Sequence, residues 1–564
     1  MVKNILLNVF NLVSFLKVKI LTMHKRLYII LFCILFINTF SFAISLDSTN
    51  LPLFVIDTKG KTIADEPKTD ANLKIIYNRE GLCNKPSDSG NIYEGNIGIE
   101  LRGSYSRTLP QKPYGFETRT ITGLQNDINL FQMPAEHDWI LTANYNDKSF
   151  MRNTLAFYLF NEMGQYASRT KFCEVIVNNE YQGIYILCEK LKRDKKRINI
   201  SKLDPDDNSG DSLTGGYIFK IDNPGGEKSF ISNHHPSSHP DATVTFLIDY
   251  PNVTDITTYQ YNYLKSFVKS FEDALFGSNF KDLNKGYRNY INVNSFIDYF
   301  IIGEISRNVD AYKKSCFYFK NRNSKGGLLN AGPVWDFDWA WKNFSDCSDT
   351  YSNTKGEGWA YQVVTECTPS PMPPGWVVRL MEDKSFVNQL YTRYSNLRKT
   401  ILSEDYIFAY IDSVSKLLNA AQERHYKKWP ILGMVVGTPE VDKQPSTYSG
   451  EVVKFKNWIK TRLVWLDNNM PGEFVNEIKT TPNIENHTIT RVFPNPAKDF
   501  VYFDATKLIN QVIIYTVEGK PIRIINCKGK YNENCIVSNL PKGVYIVCLS
   551  FTDAGMEFTR FIKE

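Results

Sequence analysis

Apolar residues fall three or four positions apart from Met151 to Met163 (Met151, Leu155, Tyr158, Leu159, Met163), the repeat of one helical face. Asp147 stands ahead of them as a cap and Gly164 behind them as a stop, which completes a helix prediction. Tyr263, Phe267, Phe271 and Leu275 recur at every fourth residue, a second helical face. A third helix is predicted over FIDYFIIGEI, with Ser295 as its cap. Stripes of this kind build cores rather than sites. The period then changes: SCFYFK, the turn NRNSKGG and LLNAGPVW read as a hairpin between residues 315 and 335. Strand and helix signals mix over 44–470 without a βαβ repeat, so an α+β domain is expected there. A helical pattern ends near Trp465, residues 471–490 are polar and turn-rich, and 491–564 break into short strand-like runs divided by Gly, Asn and Asp. That tail is expected to be a small all-β sandwich.

At the other end, residues 27–37 (LYIILFCILFI) are apolar without interruption but too short to span a bilayer. Lys25 and Arg26 precede the run and Ser41-Phe42-Ala43 follows it, the layout of a signal peptide cleaved after Ala43, with Met23 the favoured start codon. Phe32 is too bulky for Cys33 to be a lipid-anchored cysteine. Residues 1–43 hold five basic residues and no acid, so the net charge of +6 falls to +1 in the exported chain. A near-neutral chain without a long basic run has no general electrostatic attraction to nucleic acid or anionic lipid. No later segment reaches the roughly 18 apolar residues of a membrane helix. Nine cysteines remain after cleavage, without metal-site spacing and in a destination where disulfides persist. Cys347 with Cys367, and Cys527 with Cys535 across an expected hairpin, are the candidate pairs.

The densest chemistry lies between Asn308 and Asp338. If the hairpin continues as a strand, Asp336 and Asp338 point to one face and Trp335, Phe337 and Trp339 to the other. Two carboxylates so close repel unless a cation lies between them, and hard oxygen ligands suit magnesium; the bland alternative is a solvated acidic edge. A hairpin between one acidic loop (Asn308, Asp310) and another (Asp336, Asp338) is also how protein kinases separate catalytic loop and metal-binding aspartate. No GxSxG elbow or HExxH pair is present, and His234, His235 and His239 stand in a Pro- and Ser-rich loop without helical spacing.

Several blocks carry a resemblance: IELRGSYSRTLPQKPYGFETR at 99–119, DWILTANYNDKSFMRNTLAFYLFNEMG at 138–164, FCEVIVNNEYQGIYILCEKLKRDKKRINI at 172–200, GGYIFKID at 215–222, EISRNVDAY and GPVWDFDWAW. In this order they resemble the spore-coat protein H (CotH) kinase family, atypical secretory kinases, which implies a diverged protein-kinase-like fold. The family implies ATP and magnesium, or manganese, as cofactors. It implies Asp310 as the base accepting the incoming hydroxyl's proton and Asp336 as catalytic metal ligand, with Asp338 and Asn308 as helpers. Lys112 is placed to grip phosphate with Glu189 orienting it, and Arg102 and Arg152 are further phosphate clamps. FPNPAKD, YTVEGK, LPKGVYIV and TRFIKE resemble the type A C-terminal sorting domain of type IX secretion, which implies delivery to the cell surface through the periplasm by that machinery.

The departures from ordinary protein kinases are specific. No GxGxxG loop precedes Lys112, DFD replaces DFG, and Ser315 occupies the place of a metal-binding asparagine. Three functions stay open at this level. One is a secreted kinase acting on Ser/Thr hydroxyls of an unidentified acceptor protein. The others are a catalytically silent surface or matrix relative, and a glycosidase using Asp336 or Asp338 in an acid pair.

Overall fold

The computed structural model describes residues 46–79, 81–345, 355–474, 491–517, 520–553 and 555–564. Residues 1–43, where a signal peptide is expected, most of the expected 471–490 linker and Cys347 lie outside them. The chain divides into two units, Met1–Ile478 and Lys479–Glu564.

In the first unit, seven strands close into a barrel: β1 (Leu53–Asp57), β2 (Thr69–Ile76), β3 (Tyr93–Leu101), β4 (Tyr114–Arg119), β5 (Asp138–Ala143), β6 (Thr170–Val177) and β7 (Glu180–Glu189), in the order 1-2-3-4-5-7-6. Closure comes from β1, which pairs antiparallel with β2 and parallel with β6 (Phe54 opposite Val175), leaving no open edge. Alternation does the rest. Phe54, Leu73, Ile99, Phe116, Trp139, Leu141, Tyr185 and Leu187 fill the interior, while Ile140, Ile184, Ile186 and Cys188 point outward into the main core.

This barrel corrects the expected fold. The α+β, diverged protein-kinase-like domain is not what the strands build, because β1 and β6 seal into one cylinder what would otherwise be open sheets.

A second, five-stranded sheet holds β8 (Tyr217–Ile221), β9 (Ser229–Ile231), β10 (Thr245–Tyr250), β11 (Cys316–Lys320) and β12 (Leu329–Ala331), ordered 12-11-8-10-9. Tyr217, Phe219 and Ile221 face the main core; Ile218 and Phe317 pack on the opposite face. Helices α1 (Arg152–Glu162), α2 (Thr258–Phe276), α3 (Val293–Ser306), α4 (Lys384–Arg398), α5 (Glu404–Lys428) and α6 (Tyr448–Asn469) complete this unit's long elements among the described residues. The centre is α3, buried from Ser295 to Ser306 and touched by α1, α4 and α6. Its N-cap is Asn292 rather than Ser295, whose hydroxyl donates to the Asn292 carbonyl at 2.7 Å. Asp147 does close the start of α1: its carboxylate accepts the Arg152 N–H at 2.9 Å.

The C-terminal unit is a small β-sandwich made of β13 (Arg491–Phe493), β14 (Phe500–Tyr515), β15 (Pro521–Ile536), β16 (Gly543–Phe551) and β17 (Met556–Lys563). The expected Cys527–Cys535 disulfide is not formed: both are buried free thiols. The segment between them does not reverse into a hairpin. Lys528 and Gly529 take positive φ and make a bulge within β15, so the two cysteines are not cross-strand neighbours. Cys367 is disulfide-bonded.

Candidate active site

A cleft of about 480 Å³ opens where the outward face of the barrel meets the second sheet. Ile140 and Thr142 of β5 form one wall and Lys220 and Phe317 of β8 and β11 the other. Arg102, Asp310, Asp336 and Asp338 all line it, drawn from three separate stretches of chain.

The Asp336–Asp338 segment is not a strand. Asp336 takes φ 57°, left-handed and unfavourable for a residue with a Cβ. Arg307 (φ 40°), Tyr312 (φ 70°), Ser315 (φ 51°) and Trp341 (φ 51°) share that region, so the two acidic loops carry strained backbone at five positions. Side-chain bonds hold them. Ser315 Oγ donates to Asp336 Oδ2 at 2.8 Å, so the residue replacing the kinase asparagine clamps the metal-binding candidate directly. Asn308 spans the two loops, donating from Nδ2 to the Asp336 carbonyl at 3.4 Å and accepting the Asp310 N–H at 3.3 Å. Asn146 donates to the Asp338 carboxylate, and Asn153 accepts the Phe337 N–H at 2.6 Å. Asp310 lies 4.0 Å from both Lys313 Nζ and Lys314 Nζ.

The Asp336 carboxyl is reached by solvent inside the cleft, yet protein surrounds it. That crowding, then the neighbouring Asp338 charge, raises its pKa above the ordinary carboxylate range, against the pull of Ser315 and Arg102. Burial raises Asp338 too, with Lys342 and Asn146 opposing. Burial likewise lowers Arg102, whose guanidinium stacks 5.4 Å from the Trp335 ring centroid. Two neighbouring carboxyl groups whose charged forms are disfavoured fit a divalent cation, which would favour both. A second group of possible ligands, Asp127, Glu136 and His137, lies on the barrel away from the cleft, but Lys192 Nζ already meets Glu136 at 3.1 Å.

Three expected phosphate-binding residues lie elsewhere. Lys112 is in the loop before β4, with its ammonium on the Arg107 carbonyl at 2.9 Å. Glu189 is buried at the end of β7, held by Arg169 at 2.7 and 2.9 Å, so it orients no lysine at position 112. Arg152 is buried, paired with Asp147, stacked 4.9 Å from Phe455 and bonded to the Ala340 carbonyl at 2.8 Å. It braces the acidic segment from behind rather than facing the cleft. Sequence reasoning passed over Lys220, Asp222, Asn146 and Lys314, which all line the site. The signal was present in YIFKID: two charges two positions apart on an otherwise apolar strand share one face.

Residues 99–466 match the family model described as CotH kinase protein, and residues 491–564 match the one described as secretion system C-terminal sorting domain. The first match covers well over half of the chain, which therefore belongs to the CotH kinase protein family. The inner spore coat protein H of Bacillus subtilis (strain 168) is 29% identical over 99 residues, 17% of this chain and 24% of that protein. The chain thus spans about a quarter of the length of this curated relative. The sorting domain marks the chain for type IX export to the cell surface or beyond and for contact with that machinery. Among the described residues, no helix is long and apolar enough to cross a membrane.

Proposed function

We propose that the chain is an exported kinase that transfers the γ-phosphoryl group of ATP to Ser/Thr hydroxyls of an acceptor protein. The observation that carries this reading is the convergence of Asp310, Asp336, Asp338 and Arg102 on one cleft. Membership of the CotH kinase protein family supports it. In this reading Asp336 and Asp338 hold magnesium or manganese, which neutralises phosphate charge when bound. Arg102, stiffened by Trp335, meets phosphate oxygens. The acceptor oxygen attacks the γ-phosphorus while its proton passes to Asp310; the new O–P bond forms as the β–γ bridging bond breaks and ADP leaves. The proposed organisation is a signal peptide over 1–43, a catalytic domain over 44–470, a linker over 471–490 and the sorting domain over 491–564, with passage through the periplasm.

The test uses calorimetry with magnesium or manganese and ATP, then transfer of labelled phosphate. Asp336→Ala loses both nucleotide affinity and transfer. Asp310→Asn still binds but transfers about 10²–10⁴-fold more slowly, the usual worth of a positioned base. An unmodified chain that binds no nucleotide with either cation overturns the kinase reading and leaves a catalytically silent surface component.

A further inference from the structure

We propose that Lys220 is the side chain that grips the nucleotide phosphates, and that Glu227 is its positioning residue. This rests on the kinase reading of the same cleft. The basis is the geometry of β8. Its core-facing residues are Tyr217, Phe219 and Ile221, so Ile218 and Lys220 stand on the other face, with Asp222 continuing that alternation just past the strand. The register sets Lys220 opposite Phe317 and Ile221 opposite Cys316, next in sequence to Ser315. Lys220 therefore enters the cleft from the wall across from Arg102, and both residues line it.

The ammonium is fixed rather than waving. It lies 2.9 Å from Glu227 Oε1 and 3.7 Å from Asp249 Oδ1, with the Phe317 ring centroid at 5.8 Å. Glu227 is itself tied down by the Gly225 N–H at 2.8 Å. A lysine has three N–H donors, and two anchoring carboxylates leave donor capacity for a phosphate oxygen. Protein kinases pair a strand lysine with an orienting glutamate at the phosphates, and Lys220 with Glu227 is a pair of that kind. Neither Lys112 nor Glu189 supplies it, since each is bound to other partners. Lys314, another lysine on the cleft wall, is shared with Asp310 at 4.0 Å.

A purely structural ion pair would affect stability without regard to how many phosphates a ligand carries, which gives the test its discrimination. The full chain carrying Lys220→Met, Lys220→Arg, Glu227→Gln or Lys112→Met is titrated with magnesium–ATP and with adenosine by calorimetry, and thermal midpoints are recorded alongside. Lys220→Met is expected to weaken magnesium–ATP binding about tenfold or more, the worth of a lost charge-assisted bond, and to leave adenosine affinity within about twofold. Lys220→Arg recovers part of that loss, and Glu227→Gln raises the KM for ATP in transfer assays more than it lowers kcat. Equal weakening of ATP and adenosine overturns the assignment, as does unchanged ATP affinity in Lys220→Met. The reverse pattern, with Lys112→Met losing ATP and Lys220→Met keeping it, overturns it in favour of Lys112. Failure of the unmodified chain to bind nucleotide overturns the kinase reading and this one together; magnesium–ATP binding of equal affinity by the unmodified chain and Lys220→Met overturns only this one.

Discussion

Replacing Arg462 by Met tests how the acidic loop is held. Arg462 on α6 and Glu304 near the end of α3 are both fully buried. The guanidinium donates to the Glu304 carbonyl (2.7 Å) and carboxylate (3.2 Å) and to the carbonyls of Gly356 (2.8 Å) and Gly358 (2.6 Å). Glu304 also accepts the N–H groups of Ala360 and Tyr361 and the Tyr312 hydroxyl. Burial raises the Glu304 carboxyl and brings Arg462 down to about 9, so each ion loses more by leaving water than its partner returns. Arg462→Met then strands a carboxylate with three donors and no counter-ion, and about 3–5 kcal/mol of stability is lost. Arg462→Met with Glu304→Gln removes both charges and should be less destabilised than the sum of the single changes by about 2 kcal/mol or more. Trp359 and Trp465 lie 5.9 and 4.7 Å from the guanidinium, so tryptophan fluorescence during denaturation reports the change locally. Because Glu304 lies in the last turn of the helix after which Asn308 and Asp310 follow, phosphate transfer should fall with it. Strict additivity in the double variant, or a loss below about 1 kcal/mol in Arg462→Met, refutes this reasoning.

Glu272 is buried between the Ser232 hydroxyl (2.6 Å) and Trp376 Nε1 (2.9 Å), and burial raises its carboxyl to about 6. The folded state holds that proton more tightly than the unfolded one, so stability is fullest below about pH 4.5 and roughly 2 kcal/mol is lost as pH rises through 6. Glu272→Gln should therefore raise the thermal midpoint at pH 8 and change it little at pH 4.5; parallel pH profiles would contradict this. Deleting residues 491–564, the segment matching the sorting domain, should leave the remaining chain in the periplasm, and cell fractionation showing normal surface delivery would refute that.

That the two acidic loops meet was legible because the signal is local: NVD and DFD each set carboxylates within a few residues, and Asp310, Asp336 and Asp338 line one cleft. The route to the geometry was nevertheless wrong in one respect. Strand alternation placed Asp336 and Asp338 together, whereas the structure does so through a left-handed Asp336 clamped by Ser315. The helix after Asp147 was legible for the same local reason. The barrel was not, since its closure is the parallel pairing of Val55 with Ile176, partners separated in sequence by four other strands, β2 to β5, and sharing no periodicity. Lys112 and Glu189 misled because a lysine near a strand and a glutamate at the end of another carry no record of which face each presents. In the sandwich, the hairpin expected between Cys527 and Cys535 is instead one strand: β15 pairs with β14 on both sides of the bulge at Lys528-Gly529, Ile525 against Val512 and Cys535 against Val501, so a bulge prevails over a reversal.

Strain and charge in the cleft point to one design. Five left-handed non-glycine residues in the two loops can persist only if the surroundings over-determine them. The fixing bonds come from outside the loops as well as from within: Asn146 on Asp338, Asn153 on the Phe337 N–H, Arg152 on the Ala340 carbonyl and Arg462 behind Glu304. All four donors or acceptors belong to segments that also build the main core. Two carboxyl groups held close together by the rigid body of the fold keep their geometry without a ligand, so in the proposed kinase reading the ordering cost of the cation site is met at folding rather than at binding. The same logic explains why Arg152, although it faces away from the cleft, stands among the motifs that carry the family resemblance: it fixes the backbone on which Asp338 is mounted.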